Sequence, residues 1–141
     1  MPLPKPPFSG GCQCGACRYQ VTGAPHRLYA CHCTECRAQS ASAFGISLIV
    51  SAEDVRLTAG VPRVWQRPTA SGGRVACSFC PDCGTRLFHR SSGEPEVLSV
   101  KGGSLDDGPD LSQAFHIWTK SKLPGVIIPP GATCYPGEPP D

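Results

Sequence analysis

Seven of the ten cysteines in this 141-residue chain lie in three tight clusters, and their spacing constrains the fold more than any other feature. The clusters are Cys12-Gln-Cys14, Cys31-His-Cys33-Thr-Glu-Cys36 and Cys80-Pro-Asp-Cys83. Cysteines two or three positions apart can direct their sulfur atoms to one metal ion, because a short turn brings the side chains to the same side. Zinc, which prefers a tetrahedron of thiolates, is the expected metal.

The clusters predict two zinc sites of unequal completeness. A closed structural site would combine a pair and a distant pair of cysteines, here Cys12, Cys14, Cys80 and Cys83. Because such a site closes a long loop, it would stabilise the fold by restricting the unfolded chain. No fourth cysteine lies beside the triplet Cys31, Cys33 and Cys36. A zinc ion there needs water, substrate or a remote residue as its last ligand, and an open position on zinc usually indicates catalysis.

Composition favours an all-β domain with short strands. The chain contains 16 Gly and 16 Pro residues, which favour many turns over long helices. Apolar or alternating stretches separated by turn residues predict strands at 18–21, 44–50, 55–57, 64–66, 74–78, 86–89, 97–100 and 115–119. Residues 34–40 form either one short helix, capped by Thr34, or a loop.

The ends of the chain and its charge bound the remaining possibilities. We expect one domain over residues 9–128, between an extended segment at 1–8 and a Pro- and Gly-rich tail at 129–141. The N-terminus has no apolar run, so we expect neither a secretory signal nor a membrane anchor. Together with the cysteine spacing, this favours reduced, metal-bound thiols in the cytoplasm over a secreted disulfide framework. A net charge of +2 without a basic run provides no electrostatic footprint for nucleic acid.

Six ordered motifs between residues 8 and 124 resemble one known family. They are Gly10-Gly11-Cys12-x-Cys14-Gly15-Ala16, Cys31-His32-Cys33-x-x-Cys36-Arg37, Ser42-Ala43-Phe44-Gly45, Phe79-Cys80-x-x-Cys83-Gly84-Thr85, Gly103-Ser104-Leu105-Asp106-Asp107 and His116-Ile117-Trp118. The series resembles the glutathione-dependent formaldehyde-activating enzyme family, which also contains centromere protein V. The resemblance implies a β-tent fold of small antiparallel sheets with two zinc ions per chain. It assigns the structural ion to the first and third cysteine clusters and the other ion to the triplet, in agreement with the ligand count.

The resemblance also implies an activity. The family's named reaction condenses formaldehyde with glutathione to S-hydroxymethylglutathione, and other members are described as carbon–sulfur lyases acting on glutathione-type adducts. We therefore expect a zinc-dependent enzyme, a carbon–sulfur lyase of this type, that forms or cleaves a carbon–sulfur bond in glutathione or a similar small thiol adduct. Three thiolates surround zinc with negative charge, which favours an exchangeable fourth sulfur over a carbonyl.

Two other functions are compatible with the sequence. The main alternative is a zinc-stabilised interaction module without catalysis. In such a module both zinc ions would be structural. A metal buffer or redox sensor would instead use the spare thiols of Cys17, Cys77 and Cys134. Cys17 and Cys77 depart from the family pattern and are either small hydrophobes in strands, alternative metal ligands or partners in a redox-sensitive disulfide.

The candidate catalytic residues are the triplet Cys31, Cys33 and Cys36 together with His116. His116 is preferred to His32 for proton transfer, although a packing role is an alternative for both histidines. Phe44 and Trp118 are candidate substrate contacts, although strand aromatics usually lie in the core. Five scattered cations could bind the carboxylates of a glutathione-like molecule, although such residues ordinarily lie on the surface: Arg18, Arg37, Arg86, Lys120 and Lys122.

Overall fold

The computed structural model describes residues 3–140, and within them the backbone forms ten strands and one α-helix. The strands are β1 Phe8–Gly11, β2 Arg18–Val21, β3 Arg27–Cys31, β4 Gly45–Ser51, β5 Val55–Ala59, β6 Arg63–Pro68, β7 Arg74–Phe79, β8 Arg86–Ser91, β9 Val97–Lys101 and β10 Phe115–Ile117. The helix, α1, spans Thr34–Ser40. The all-β prediction is confirmed. No helix within residues 3–140 is both long and apolar enough to cross a membrane.

The strands form one sheet of three and one sheet of seven. The three-stranded sheet is antiparallel and has the order β1-β2-β5. The seven-stranded sheet has the order β10-β3-β4-β9-β8-β7-β6, and only its β10–β3 pair is parallel. Because β10 pairs with β3, the C-terminal part of the domain returns to the strand that ends at Cys31.

One hydrophobic core is shared by the two sheets. Successive side chains on a strand point to opposite faces, so every second residue of β3, β4 and β9 is buried in this core: Leu28, Ala30, Leu48, Val50, Leu98 and Val100. From the smaller sheet, Tyr19 packs edge-on against Phe88 with ring centroids 5.0 Å apart. The Tyr19 hydroxyl donates to Ser104 Oγ over 2.7 Å, and Ser104 Oγ donates to the Lys101 carbonyl. The buried phenol is therefore hydrogen-bonded.

The opposite face of the seven-stranded sheet carries polar side chains and thiols. Ser47 of β4 is aligned with Lys101 of β9, and His89 of β8 is aligned with Ser99 of β9. Helix α1 packs beside this face against β4, where a Cβ atom on Gly45 would lie 3.1 Å from Cys36 Cβ. The sheet therefore buries apolar residues on one face and supports the helix and its cysteines on the other.

Of the two alternatives for residues 34–40, helix or loop, the structure has the helix, but the predicted cap was wrong. Cys33, rather than Thr34, is the N-cap: it has an extended backbone (φ −67°, ψ 158°), and its Sγ accepts a hydrogen bond from the Cys36 amide. Thr34 is already the first helical residue. A cysteine can take this position because its sulfur is a hydrogen-bond acceptor placed where a cap oxygen would lie.

Two strands, β1 and β3, were not among the predicted stretches, and the last strand is shorter than predicted. β10 ends at Ile117 because Trp118 adopts a left-handed backbone conformation (φ 57°) that a strand cannot contain.

The C-terminal segment pairs with the domain through backbone hydrogen bonds. The His116 amide donates to the Thr133 carbonyl and the Tyr135 amide donates to the His116 carbonyl, each over 2.9 Å. Cys134 forms an isolated bridge with His116. Of the two predicted end segments, Met1, Pro2 and Asp141 lie outside the described residues. Segment 129–140 therefore adds backbone pairing to β10, although no regular strand forms there.

Gly10 is required by close packing between the sheets. A Cβ atom at this position would collide with the Tyr19 hydroxyl and with the backbone carbonyl of Ser104. We expect Gly10→Ala to lower the free energy of unfolding by about 1–3 kcal/mol, because neither the buried ring nor the backbone can move freely. Gly103→Ala is the matched control, since a Cβ atom there meets nothing within 4 Å. Urea unfolding of both variants tests this, and an equal effect of the two substitutions would contradict it.

Candidate functional site

Two turns bring four thiols together at one end of the sheets. Cys12 and Cys14 lie between β1 and β2, and Cys80 and Cys83 lie between β7 and β8. The four Sγ atoms all lie within 4.8 Å of one another, with 3.6 Å between Cys12 and Cys14 and 3.8 Å between Cys14 and Cys80. Metal–sulfur bonds of about 2.3 Å in a tetrahedron would separate the sulfur atoms by about 3.8 Å. The four-cysteine cluster therefore fits a tetrahedral metal ion.

Hydrogen bonds around the four-cysteine cluster favour thiolates. The Cys17 amide donates to Cys12 Sγ over 3.2 Å, and the Asp82 amide donates to Cys80 Sγ over 3.4 Å. Hydrogen bonds from the Thr85 hydroxyl and backbone lower the pKa of Cys83 to about 5. Because the thiolate is the form that binds metal, these contacts prepare the cluster to hold an ion.

The triplet lies at the junction of a strand and a helix. Cys31 ends β3, Cys33 caps α1, and Cys36 belongs to the first turn of α1. Their sulfur atoms also lie within 4.8 Å of one another, and no other Cys, His, Asp or Glu of residues 3–140 joins them. A metal ion held by these three thiols would therefore keep an open position among the residues described.

The charge around the triplet also favours a thiolate. A hydrogen bond from the Cys31 thiol lowers the pKa of Cys36 to about 6, against the effect of burial and with help from the positive charge of Lys101. As the donor of that bond, Cys31 has a raised pKa. The Cys36 amide also donates to Cys33 Sγ over 3.3 Å. One negative charge at neutral pH is therefore favoured at Cys36, whereas burial raises the pKa of Cys33.

A cavity of about 600 Å³ lies beside the helix that carries Cys36, and its wall contains none of the three cysteines of the triplet. Its walls are the C-terminal half of α1, the residues on either side of Gly45, the turn before β8, and the end of β9. The lining residues that carry polar or aromatic groups are Gln39, Ser40, Ser42, Phe44, Thr85, Arg86, His89, Lys101 and Ser104. A small molecule in this cavity would contact α1 and Lys101, whose charge acts on the pKa of Cys36.

Two residues of the cavity were missed by the sequence analysis. Lys101 is only 8% exposed, and its Nζ donates to Ser47 Oγ over 2.9 Å. Burial lowers the pKa of Lys101, and the nearby thiols of the triplet act in the opposite direction. Burial also lowers the pKa of His89 to about 3, with a further contribution from the charge of Lys101, so His89 is neutral at physiological pH.

The structure separates the two predicted substrate residues. Phe44 lines the cavity, and its ring centroid lies 5.1 Å from that of His32. Trp118 is not part of the cavity wall; its indole nitrogen donates to Glu138 Oε1 over 2.6 Å. Contact of either residue with substrate stays a prediction.

The two candidate histidines form a buried pair. His32 Nε2 and His116 Nδ1 are 2.9 Å apart, and the two rings stack with centroids 5.2 Å apart. Burial lowers the pKa of both imidazoles. His116 Nε2 has no hydrogen-bond partner within residues 3–140. Phe44 lines the cavity and neither histidine does, and the ring centroids of Phe44 and His116 are 6.4 Å apart. A role for His116 in proton transfer stays a prediction.

The three spare cysteines lie in different environments. Cys17 and Cys77 are fully buried, at 1% and 0% exposure, whereas Cys134 is exposed. Burial raises the pKa of Cys17 to about 11 and also raises the pKa of Cys77. Burial and raised pKa values agree with their interpretation as small hydrophobes, because buried neutral thiols are inert.

Residues 7–121 match the sequence profile of a family described as the glutathione-dependent formaldehyde-activating enzyme. The chain belongs to this family. The match confirms the family predicted from the six motifs, and it contains all seven clustered cysteines. The formaldehyde-activating family is a family of enzymes, so membership supports a catalytic function in general.

A solved structure has the same fold as this formaldehyde-activating family member. It is the crystal structure of a protein from Rhodobacter sphaeroides, with a TM-score of 0.53. The two chains are 19% identical, and the similarity covers 91% of this chain and 99% of the other. At this identity the likeness concerns the fold alone.

The different settings of the two clusters predict different effects of removing one ligand. We expect Cys80→Ser and Cys33→Ser each to lose about one metal ion per chain. Cys80→Ser should also lower the free energy of unfolding by more than about 3 kcal/mol, because metal binding to a closed cluster that joins the two sheets is folding free energy. Cys33→Ser should cost much less, since its cluster joins only β3 to the adjacent helix.

Elemental analysis and urea unfolding measure these two effects. Cys134→Ser is the control, because this exposed thiol belongs to neither cluster. Equal destabilisation by Cys80→Ser and Cys33→Ser would show that the two clusters do not differ in structural role.

Proposed function

We propose that this protein is a zinc-dependent enzyme that forms or cleaves a carbon–sulfur bond in glutathione or a similar thiol adduct, as an S-hydroxymethylglutathione synthase or a carbon–sulfur lyase does. The observation that carries the proposal is the triplet Cys31, Cys33 and Cys36, which has three thiols and no fourth ligand among residues 3–140. A cavity large enough for a small molecule lies beside α1, and its wall includes Lys101, whose charge acts on Cys36. Family membership supports the reaction class, because the name of the family refers to glutathione and formaldehyde.

We assign zinc to both clusters, one ion to each. The ligands of both are thiols only, and the sulfur spacing of the four-cysteine cluster fits tetrahedral coordination. When bound at the triplet, zinc supplies an open position for a further sulfur and favours the ionised form of that sulfur.

The residues around the triplet bind and orient the reactants. The cavity beside α1 holds the body of the thiol and brings its sulfur close to the aldehyde carbon, so that proximity contributes to the rate. Phe44, in the cavity wall, reduces access of water on the side of His32. In the synthetic direction, the carbon–sulfur bond forms between the thiol sulfur and formaldehyde, and the proton lost by the thiol is transferred to the aldehyde oxygen. His116 Nε2 is our candidate for carrying this proton, with Phe44 lying between its ring and the cavity.

The alternative is a zinc-stabilised interaction module without catalysis. Such a module needs no exchangeable position, so both clusters would be closed to added thiols. Thiol binding therefore separates the two functions.

Calorimetric titration of glutathione into the zinc-loaded, reduced protein tests the proposal. We expect binding to the wild-type protein and to Cys134→Ser, which changes an exposed thiol outside both clusters. We expect no binding to Cys33→Ser, because this variant removes one ligand of the triplet. S-methylglutathione, which cannot form a thiolate, should not compete with glutathione. Failure of glutathione to bind the wild-type protein would contradict the proposal and favour the interaction module.

A further inference from the structure

Lys101 is a buried cation without an acidic partner. Its side chain is at the end of β9, 8% exposed, with Ser47 Oγ as the hydrogen-bond acceptor of its ammonium group. The ion pairs within residues 3–140 are Arg18–Asp106 and Arg67–Glu35, so no carboxylate of the described chain neutralises Lys101. Burying a lysine is costly, and such residues are usually paired. Among the described residues, only the nearby thiols can offset the positive charge of Lys101.

The position of Lys101 relates it to the triplet. β9 is two strands from β3 in the larger sheet, with β4 between them. Because neighbouring strands are about 4.8 Å apart, the backbones of these two strands lie about 10 Å apart, a distance that a lysine side chain covers in large part. Ser47 and Cys31 are on the same face of the sheet, since Cys31 is aligned with Gly45, two residues before Ser47. Lys101 is thus on the triplet's side of the sheet and lines the cavity.

Arg86 is a second unpaired cation in the same cavity wall. It opens β8, and its guanidinium carbon lies 5.0 Å from the centre of the Phe79 ring, which supports one face of the group. Like Lys101, it forms no ion pair within residues 3–140. His89, on the same strand, is neutral and buried, and its Nε2 has no partner within those residues. Arg86 and His89 therefore offer further donors at the side of the cavity facing α1.

The composition of the cavity is selective for charge. Its wall contains two cations, Lys101 and Arg86, and neither Asp nor Glu. The other polar groups are largely hydroxyls, which can donate hydrogen bonds, and they come from Ser40, Ser42, Thr85 and Ser104. Such a wall attracts an anion and gives no favourable contact to a second cation.

We propose that Lys101 and Arg86 form a binding site for a carboxylate of the thiol that reacts at the triplet, so that the substrate is an anionic thiol. This inference rests on the proposed function, and it adds which residues recognise the substrate and which charge the substrate must carry. Arginine can bind a carboxylate through two parallel hydrogen bonds, and the buried lysine provides a third charge-assisted donor. The carboxylate in turn adds a counter-charge to the one that the nearby thiols provide for Lys101.

The test compares glutathione with glutathione diamide, in which uncharged amides of nearly the same size replace both carboxylates. Both thiols are titrated calorimetrically into the zinc-loaded, reduced protein. We expect the wild-type protein to bind glutathione at least about tenfold more tightly than the diamide, because charge-assisted hydrogen bonds are lost with the amide. In Arg86→Gln this preference should fall to about threefold or less, with the affinity for the diamide unchanged.

Two further variants complete the experiment. Arg56→Gln removes the same charge from an exposed position on β5, outside the cavity, and should keep the wild-type preference. Lys101→Met replaces the ammonium group with an uncharged chain of similar length and should also lose the preference. Zinc content, measured on each variant, identifies any substitution that acts by damaging the triplet.

The outcomes separate the two proposals. Equal affinity of the wild-type protein for both thiols would overturn the carboxylate site and leave the proposed function intact. An equal loss of affinity for glutathione and its diamide in Arg86→Gln and Lys101→Met, with zinc content unchanged, would also overturn it. The two cations would then affect binding of the thiol group rather than of the carboxylate. If neither thiol binds the wild-type protein, both proposals fail.

Discussion

The convergence of four sulfur atoms from two turns is the contact on which the rest of this structure depends. Cys12 and Cys14 come from the smaller sheet, Cys80 and Cys83 from the larger one, and their Sγ atoms lie within 4.8 Å of one another. A metal ion at this point would link chain segments that are 66 residues apart, as measured from Cys14 to Cys80. Such a link restricts the unfolded chain strongly, which matters in a domain with short strands and a small core. With the two sheets held in this way, the larger sheet can carry a polar face beside the triplet.

The second cluster also consists of thiols, but it lies in a different structural setting. Its three thiols come from one short stretch of chain, at the end of β3 and the start of α1, so they join no distant segments. The helix is held beside the sheet by the close approach of Cys36 to Gly45 and by the ion pair between Glu35 and Arg67. Beside α1 lies a cavity whose wall contains Lys101 and Arg86 and no carboxylate. A site that binds an exchangeable sulfur must be accessible to the substrate and must offset the negative charge of the substrate. A closed cluster does neither.

Local patterns in the sequence predicted much of this architecture. Cysteine spacing predicted which thiols meet, and alternation predicted most strands, because both patterns depend on neighbouring residues. β1 was missed because its two glycines disfavour a strand, although Gly10 is needed there for the contact with Tyr19 and Ser104. Lys101 was missed for a related reason: a lysine that alternates with apolar residues is expected to face solvent. Only the pairing of distant strands and the position of α1 place it beside a cavity.

The central claim is that one cluster is closed by four cysteines and the other is left open with three. Anomalous diffraction at the zinc absorption edge, from crystals of the zinc-loaded, reduced protein, tests this most directly. We predict two peaks per chain. One should lie about 2.3 Å from the sulfur atoms of Cys12, Cys14, Cys80 and Cys83, and the other at that distance from Cys31, Cys33 and Cys36 with no fourth protein ligand. A single peak, or a second ion completed by a fourth side chain, would contradict the account.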